Sequence, residues 1–330
     1  MKKFFKIAGI ILLLLVVFAL AGIAYVKTAL PDVGDPQEIT IEKTPARIER
    51  GKYLANHVTV CMDCHSARDM SLYAGPLVPG DLGGGGEKFS ADMGFPGNFY
   101  SRNITPYGIG EWTDGEVFRA VTTGVSRDGH ALFPVMPYHG YGQLDQEDLY
   151  SIIAYVRSLA PVKRDIPTSV ADFPVNLLLN TMPSKANPGK RPLESDTVAY
   201  GKYMVLAAGC VECHSKHDKG ARVPGTEFGG GMQFKLPTGL AVSANITANK
   251  KDGIGTWTQE AFVKRFQAYA DSNYVPPKVA PNGANTPMPW MMYAHMKEND
   301  LKAIYAYLRT VPVQDNAVVK FTPYPAGQSN

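Results

Sequence analysis

The chain has 330 residues, of which 45% are hydrophobic and 19% are charged, which predicts about two globular domains, each large enough to bury a core. Its formal net charge is +3, and residues 1–27 contribute four lysines and no acid. The rest of the chain therefore has a slight acidic excess and lacks the basic surface of a nucleic-acid-binding domain. We expect no nucleic-acid partner.

An uncharged apolar stretch covers residues 7–26 and follows three lysines in the first six positions. As a helix, this stretch is long enough to cross a bilayer core of about 30 Å. The lysines predict a cytoplasmic N-terminus, with the remaining chain on the outer side of the cytoplasmic membrane. We favour an uncleaved anchor over residues 1–27 and a linker over 28–46. The alternative is a signal peptide cleaved near Ala19-Leu20-Ala21.

The rest of the chain contains one pattern twice, which indicates a duplicated domain. The first repeat covers residues 47–162 and the second covers 197–315, with a proline-rich linker at 163–196 and a tail at 316–330. The matched segments are GKY (51–53, 201–203), CMDCH and CVECH (61–65, 210–214), glycine runs (83–86, 229–231), NIT (103–105, 245–247), GIGEWT and GIGTWT (108–113, 253–258), Met-Pro (136–137, 288–289), and AYVRSLAPV and AYLRTVPV (154–162, 306–313).

Apolar residues at helical spacing predict a helix at the end of each repeat, with Asp145 and Asn299 as candidate N-caps. Another helix leads into each cysteine motif, where Gly51 and Gly201 would allow it to cross the closing helix closely. Between them lies a long loop rich in glycine and proline, which requires an organising centre other than side-chain packing. We therefore predict an all-α fold with one N-terminal transmembrane helix and two small helical domains. Residues 175–179 of the linker should pack between those domains.

Four cysteines form two C-x-x-C pairs, and a histidine follows each pair directly: Cys61, Cys64 and His65, then Cys210, Cys213 and His214. This is the attachment motif of c-type haem, in which the thiols bond to the vinyl groups and the histidine binds the iron. We therefore predict two covalently bound haem c groups. The alternatives fit less well. Two disulfides would leave the histidines unexplained, the pairs are too far apart for a typical zinc site, and a thioredoxin-like pair needs a βαβ context.

Each repeat also has a methionine flanked by prolines, Met136 and Met288. A following proline favours an extended loop, from which the sulfur could reach the iron opposite the histidine, and methionine ligation suits electron transfer. We predict these two methionines as the second axial ligands. Core filling is the commoner use of methionine. The nearby competitors are His139 in the first repeat and Met291, Met292, His295 and Met296 in the second.

The segments NITPYGIGEWTDGE, GVSRDGH, FPVMPYHGY and AYVRSLAPV resemble the class I cytochrome c domains of bacterial membrane-bound alcohol, aldehyde and gluconate dehydrogenase cytochrome subunits. The resemblance covers nearly all of residues 47–315 and is looser in the second repeat, where YVPPKVAPNGANTPMPW lengthens the approach to the methionine. It implies two tandem class I cytochrome c domains. One haem would be served by Cys61, Cys64, His65 and Met136, and the other by Cys210, Cys213, His214 and Met288. Many of those subunits have three haem motifs, whereas this chain has two.

These features predict a membrane-anchored periplasmic electron carrier with no substrate chemistry of its own. It would connect a periplasmic dehydrogenase or a quinol-oxidising complex to a downstream respiratory acceptor such as a terminal oxidase. The alternatives are a dihaem cytochrome c peroxidase and a haem-based sensor. Residues 28–160 carry a net charge of −7 and residues 200–330 carry +5, which raises the hypothesis that the repeats meet partners of opposite charge.

Overall fold

The computed structural model describes residues 1–218 and 221–325. The helices are α1 (Lys2–Thr28), α2 (Pro45–Tyr53), α3 (Cys61–Cys64), α4 (Pro106–Ile109), α5 (Asp114–Thr123), α6 (Tyr138–Tyr141), α7 (Gln146–Val156), α8 (Val175–Leu178), α9 (Thr197–Ala207), α10 (Cys210–Cys213), α11 (Gln259–Gln267), α12 (Trp290–Tyr293) and α13 (Glu298–Leu308). A π-helical turn (Leu54–Val58) extends α2, and 3-10 turns cover Ala91–Met93 and Leu179–Thr181.

The strands are short: β1 (Lys88–Phe89), β2 (Gly97–Tyr100), β3 (Val170–Ala171), β4 (His217–Asp218), β5 (Ala221–Arg222), β6 (Gln233–Leu236), β7 (Gly239–Val242) and β8 (Phe321–Pro323). They form antiparallel sheets in the orders β1-β2-β3, β4-β5 and β6-β7-β8. The prediction of an all-α fold was therefore wrong in this respect. Strands of two to four residues are too short for a period-two apolar pattern to reveal them.

Helix α1 projects as an apolar rod whose residues are almost all exposed. Its most apolar window has a mean hydropathy of 3.0, and within the described ranges it is the one helix long and apolar enough to cross a membrane. A signal sequence would have the same length and composition. The helix is consistent with the predicted anchor.

Each repeat is built on a tight crossing between its opening and closing helices, α2 with α7 and α9 with α13. A Cβ atom added at Gly51 would lie 1.7 Å from the carbonyl oxygen of Ser151, and one at Gly201 would lie 1.9 Å from that of Ala303. No side chain fits at such distances, so the predicted role of both glycines is confirmed. Asp145 caps α7 by accepting a hydrogen bond from Glu147 N at 2.8 Å.

The predicted N-cap at Asn299 was wrong. The N-cap is Lys297, two residues earlier, so that helix α13 begins at Glu298, and Lys297 makes no side-chain capping bond. A shift of two residues cannot be read from apolar periodicity, which locates a helix more reliably than it locates its end.

The two repeats are joined by reciprocal bonds between tyrosines and aspartates. Tyr53 of α2 donates to Asp300 of α13, and Tyr203 of α9 donates to Asp148 of α7 at 2.7 Å. Both aspartates are buried, with 3% of Asp148 and 1% of Asp300 exposed. Burial and the adjacent carboxylate raise the pKa of both tyrosines, so each phenol stays protonated as a donor. Equivalent positions of the two repeats thus exchange the same bond.

Backbone contacts repeat the same exchange. The tyrosine oxygens also accept from the amides that begin the opposite closing helices, Tyr53 from Lys297 N at 3.0 Å and Tyr203 from Asp145 N at 3.3 Å. Helix α12 of the second repeat packs on the π-helical turn of the first, and α6 of the first packs on α9 of the second. One apolar core runs through both repeats.

The linker and the described part of the tail both fold back onto the repeats. Strand β3 pairs with β2, and β8, which lies within the predicted tail, pairs with β7. Residues 326–330 of that tail lie outside the described residues. Residues 175–179, predicted to pack between the domains, instead pack against α1. That prediction was wrong because an apolar run shows that a segment is covered, but not by which element.

Candidate functional site

Both cysteine motifs lie on single helical turns, α3 and α10, that follow the opening helices after a sharp reversal. The residue before each turn is in the left-handed region, Val60 with φ 45° and Gly209 with φ 62°. The left-handed residue ends the preceding helix and starts the new turn in another direction. Each repeat thereby presents its two cysteines and the following histidine to the same cavity.

The two histidine rings are held in the same way. Nδ1 of His65 lies 2.7 Å from the carbonyl oxygen of Arg102, and Nδ1 of His214 lies 2.7 Å from that of Ala244. A carbonyl can only accept, so Nδ1 carries the proton in both rings and Nε2 keeps its lone pair. Burial lowers the pKa of both histidines. Each imidazole is therefore neutral and able to bind a metal through Nε2.

The NIT segments position these carbonyls. In the first repeat the Asn103 amide donates to Val162 O at 2.8 Å, while its oxygen accepts from the Thr105 hydroxyl at 2.7 Å. In the second, Asn245 makes the same bonds to Gln314 O and Thr247, both at 2.7 Å. Each asparagine directly follows the residue whose carbonyl holds the histidine ring. The NIT motif thus connects the residue that holds the histidine ring, through hydrogen bonds of the next asparagine, to the chain just beyond the closing helix.

The glycine runs brace the same histidines from the backbone side. Gly85 N donates to His65 O, and Gly230 N donates to His214 O, both at 2.9 Å. Both glycines have positive φ, 70° and 71°, and a Cβ added to either would lie about 2.5 Å from the backbone of the carbonyl-bearing segment. Only glycine allows this approach. The run in the first repeat is therefore a support for the histidine.

One continuous cavity of about 2090 Å³ receives all of the predicted site residues. It is larger than the roughly 300–1,000 Å³ typical of a pocket for one small molecule, and its wall is mainly apolar. The predicted attachment residues on this wall are Cys61, Cys64, Cys210 and Cys213, and the predicted iron ligands on it are His65, Met136, His214 and Met288. Trp112 and Trp257, at matched positions, also line it. The donor set and the apolar wall fit two flat macrocycles bound through their edges.

The cysteine sulfur atoms form no bonds with one another, and the Cys61 Sγ lies 3.1 Å from Thr59 Oγ1. All four are free of disulfides, and burial raises the pKa of each thiol. In the described part of the chain, no three His, Cys, Asp or Glu side chains converge as a metal site. This arrangement disagrees with the disulfide and four-cysteine zinc alternatives, since each cysteine pair stays with its own histidine.

The competing ligands differ in their surroundings. In the second repeat, Met296 lines the cavity but is 3% exposed, and its counterpart in the first repeat is the equally buried Leu144. That position is therefore part of the apolar core. His295 is exposed and lies beside the ring of His57, with the ring centres 5.2 Å apart. In the first repeat, His139 lines the cavity, and its Nδ1 lies 2.9 Å from Ser184 Oγ.

Sequence reasoning missed two cavity tyrosines. Tyr141 donates to Thr59 O at 2.8 Å, and Tyr293 donates to Ala208 O at 2.7 Å. Both are buried, which raises the pKa of each phenol well above its usual value. Each bond links the helix after the methionine to the chain just before the cysteine turn, across the cavity. The available signal was their equal spacing after Met136 and Met288.

An ion pair beside the first cysteine motif was also missed. Asp63 pairs with Arg68 at 3.0 Å, and both side chains are largely buried. Burial raises the pKa of Asp63 to about 6, although the Arg68 charge opposes this shift. In the second repeat, the equivalent Glu212 pairs with Arg222 at 3.0 Å near the surface.

Arg68 organises a loop that reaches the other repeat. Its guanidinium donates to the carbonyl oxygens of Ala74 and Gly75, both at 2.8 Å. This loop pairs with the long approach to Met288: Tyr73 N donates to Pro277 O and Val279 N donates to Ser71 O. The extra residues of the second repeat are therefore held by the first.

Comparison with known proteins agrees with these features. Residues 198–312 match the family model for Cytochrome c. The match lies in the second repeat, where we expected the looser resemblance. The gluconate 2-dehydrogenase cytochrome c subunit of Pantoea cypripedii is 26% identical over 294 residues, which are 84% of this chain and 62% of that protein.

Two further relatives are a dehydrogenase cytochrome subunit and a protein named as a diheme cytochrome. The fructose dehydrogenase cytochrome subunit of Gluconobacter japonicus is 30% identical over 83% of this chain and 55% of its own length. A protein of Cereibacter sphaeroides named as a diheme cytochrome c-type is 28% identical over 76% of this chain and 82% of its own length. The chain thus spans about three-fifths of the dehydrogenase subunits it matches. The predicted resemblance to dehydrogenase cytochrome subunits is confirmed.

Proposed function

We propose that the protein is a membrane-anchored dihaem cytochrome c that transfers electrons on the periplasmic side of the cytoplasmic membrane. Each repeat would form one class I cytochrome c domain and hold one covalent haem c group. The observation that carries this proposal is the matched pair of neutral histidines, each with its Nδ1 proton donated to a backbone carbonyl. When bound, haem c supplies an iron that gains and loses one electron.

The protein side chains would fix the state of that iron. Cys61 and Cys64, or Cys210 and Cys213, would hold the group at its edge, and Nε2 of the adjacent histidine would bind the metal. The carbonyl bond at Nδ1 sets the ring orientation and increases the basicity of the ligand. Met136 and Met288 would bind from the opposite side. With both positions filled by the protein, the site favours electron transfer over substrate binding.

The partners follow from the relatives and from the N-terminal helix. Relatives named as cytochrome subunits of gluconate, fructose and alcohol dehydrogenases support a dehydrogenase as electron donor. A quinol-oxidising complex is the other candidate donor, and a downstream respiratory protein such as a terminal oxidase would accept the electrons. The opposite net charges of residues 28–160 and 200–330 support separate docking of donor and acceptor on the two repeats. The apolar helix α1 supports anchoring.

The experiment measures the haem content of the purified full chain and the far-red iron–methionine absorption of its oxidised form. We expect two haem groups per chain. Met136→Leu and Met288→Leu should each remove about half of the far-red band and lower one reduction potential, because the sulfur ligand stabilises the reduced iron. Met296→Leu is the matched control and should leave the band unchanged, because that side chain belongs to the core.

Two results would overturn the proposal. One is a haem content of zero, which would refute the attachment at both motifs. The other is rapid peroxide-dependent oxidation of a reduced small cytochrome by the unmodified protein, which would identify a peroxidase with an open coordination position. Loss of the band in Met296→Leu instead of Met288→Leu would reassign the second axial ligand.

A further inference from the structure

The linker makes direct contact with the end of the membrane helix. The side-chain amide of Asn180 donates to the carbonyl oxygens of Val26 and Leu30, at 3.2 and 3.1 Å. These carbonyl groups lie at the C-terminal end of α1, where no following helical turn supplies an N–H donor. Helix α8 and the 3-10 turn after it also pack against α1. Residues 170–180, here called the linker turn, are therefore fixed beside the point where the apolar helix ends.

The linker turn exposes large apolar side chains at this position. Phe173 is 77% exposed, Leu178 is 49% exposed and Val170 is 60% exposed. Single exposed apolar residues are common on soluble surfaces, but here three fall within one short segment next to an apolar helix. On the last turn of α1 the neighbours are the exposed Tyr25 and Lys27, residue types that favour the boundary between lipid and water.

We propose that the linker turn rests in the interfacial layer of the bilayer that α1 enters, with Phe173 and Leu178 among the lipid chains. Burial of apolar side chains would drive this contact. Electrostatic attraction would not, since Asp172 is the one charged residue of the linker turn and anionic lipid repels negative charge. The proposal rests on the proposed role of α1 as an anchor and does not depend on the haem chemistry.

The contact determines which repeat faces the membrane. Strand β3 of the linker turn pairs with β2 of the first repeat, with Ala171 opposite Gly97 and Val170 opposite Asn98. The interfacial contact would therefore hold the first repeat close to the bilayer and leave the second free to face a soluble partner.

The test places an environment-sensitive NBD fluorophore on a single introduced cysteine, using the full chain in phosphatidylcholine and phosphatidylglycerol vesicles. Phe173→Cys and Leu178→Cys are the test variants. Val275→Cys is the control, because Val275 is 80% exposed and lies in the second repeat. At positions 173 and 178 we expect blue-shifted emission that is quenched by a doxyl-labelled lipid and protected from iodide. At position 275 we expect emission without a blue shift, which iodide quenches and the doxyl-labelled lipid does not.

Each of the other possible outcomes contradicts one specific part of the proposal. Emission at 173 and 178 that matches the control, in protein that floats with the vesicles, would show that the turn stays in water. Blue-shifted emission that the doxyl lipid does not quench would assign the turn to a protein contact. Failure to float would refute the anchor itself, and labelling of the unsubstituted chain would instead refute thioether attachment at the native cysteines.

Discussion

The two repeats hold their histidines in the same way and exchange the same tyrosine–aspartate bonds, but the two interface aspartates have different partners within their own repeats. Around the cavity, every support of the histidine has a counterpart: the carbonyl at Nδ1, the asparagine beside it and the glycine that binds the histidine backbone. At the interface, Arg50 of α2 binds Asp148 with two bonds of 2.9 Å, whereas its counterpart Tyr200 donates one bond of 2.9 Å to Asp300.

The two repeats therefore contribute unequally to the contacts that hold them together. The first repeat supplies the more strongly charged aspartate site, because Arg191 from the linker also donates to Asp148 at 2.7 Å. It also supplies the loop that holds the approach to Met288. The second repeat is therefore held in place by the first, and perturbations should have unequal effects on equivalent positions.

The largest expected effect is at the two interface aspartates. Asp148→Asn keeps the shape of the side chain but leaves the guanidinium of Arg50 without a countercharge, and breaking a buried ion pair costs about 3–5 kcal/mol. Asp300→Asn removes bonds from uncharged phenols only, so its cost should be about 1–2 kcal/mol. Urea unfolding of the detergent-solubilised full chain measures both. Equal costs would show that the two aspartate sites are energetically equivalent.

The second prediction concerns the contact that holds the approach to Met288. Asn285 is buried, accepts from Ala74 N at 2.8 Å and donates to Met70 O at 3.1 Å. Asn285→Ala would leave both backbone groups unpaired, at a cost of about 1–3 kcal/mol. Under the proposed ligation by Met136 and Met288, we expect the iron–methionine band of the second repeat to weaken while that of the first persists.

The control for this prediction is Lys278→Ala, because that side chain is exposed on the same loop and only its backbone pairs with Leu72. It should leave the spectrum unchanged. If Asn285→Ala instead reduced both halves of the band equally, the loop would not act specifically on the second repeat.

The third prediction uses the backbone before each cysteine turn. An added Cβ at Gly209 meets no atom within 4 Å, so Gly209→Ala tests the left-handed conformation alone and should cost about 1–2 kcal/mol. Gly140→Ala is the control, since its φ is not positive and its nearest neighbour would be 3.4 Å away. Thermal unfolding should separate the two variants. A negligible cost at Gly209 would mean that the turn relaxes, and that the strain at Val60 is not needed in either repeat.

The smallest effect concerns pH. Burial lowers the pKa of His57, and the nearby charges of His295 and Lys52 add to this shift, although the bond between Nδ1 and Met292 O at 3.1 Å opposes it. The folded state therefore binds fewer protons than the unfolded state just below the usual histidine pKa of about 6.5. This contribution to stability is complete above that pH and is lost as the pH falls.

His57→Gln should therefore reduce the loss of stability between about pH 7.5 and pH 5.5, as measured from urea midpoints. The neighbouring ring of Tyr53, 6.2 Å from the His57 ring centre, does not titrate in this range. The matched position in the second repeat is the apolar Leu206, so the acid-sensitive side of the interface belongs to the first repeat. An unchanged pH dependence would assign the sensitivity to other groups.

The duplication, the two cysteine motifs and the close helix crossings at Gly51 and Gly201 could be predicted from the amino-acid sequence. These features depend on local chemistry, because a covalent attachment needs fixed spacing and a close crossing needs a missing side chain. The NIT segments were visible only as markers of the repeat. Their role appeared once the fold brought the carbonyls of Arg102 and Ala244 to the histidine rings.

Tertiary structure alone decided how distant segments meet. No local pattern indicates that Tyr53 reaches Asp300, that both motifs line one cavity, or that the apolar residues 175–179 pack on α1 and not between the repeats. The short strands were hidden for the same reason, since their bonds join segments that are far apart in the chain. Apolar spacing indicates that a surface is covered, and only the complete fold identifies what covers it.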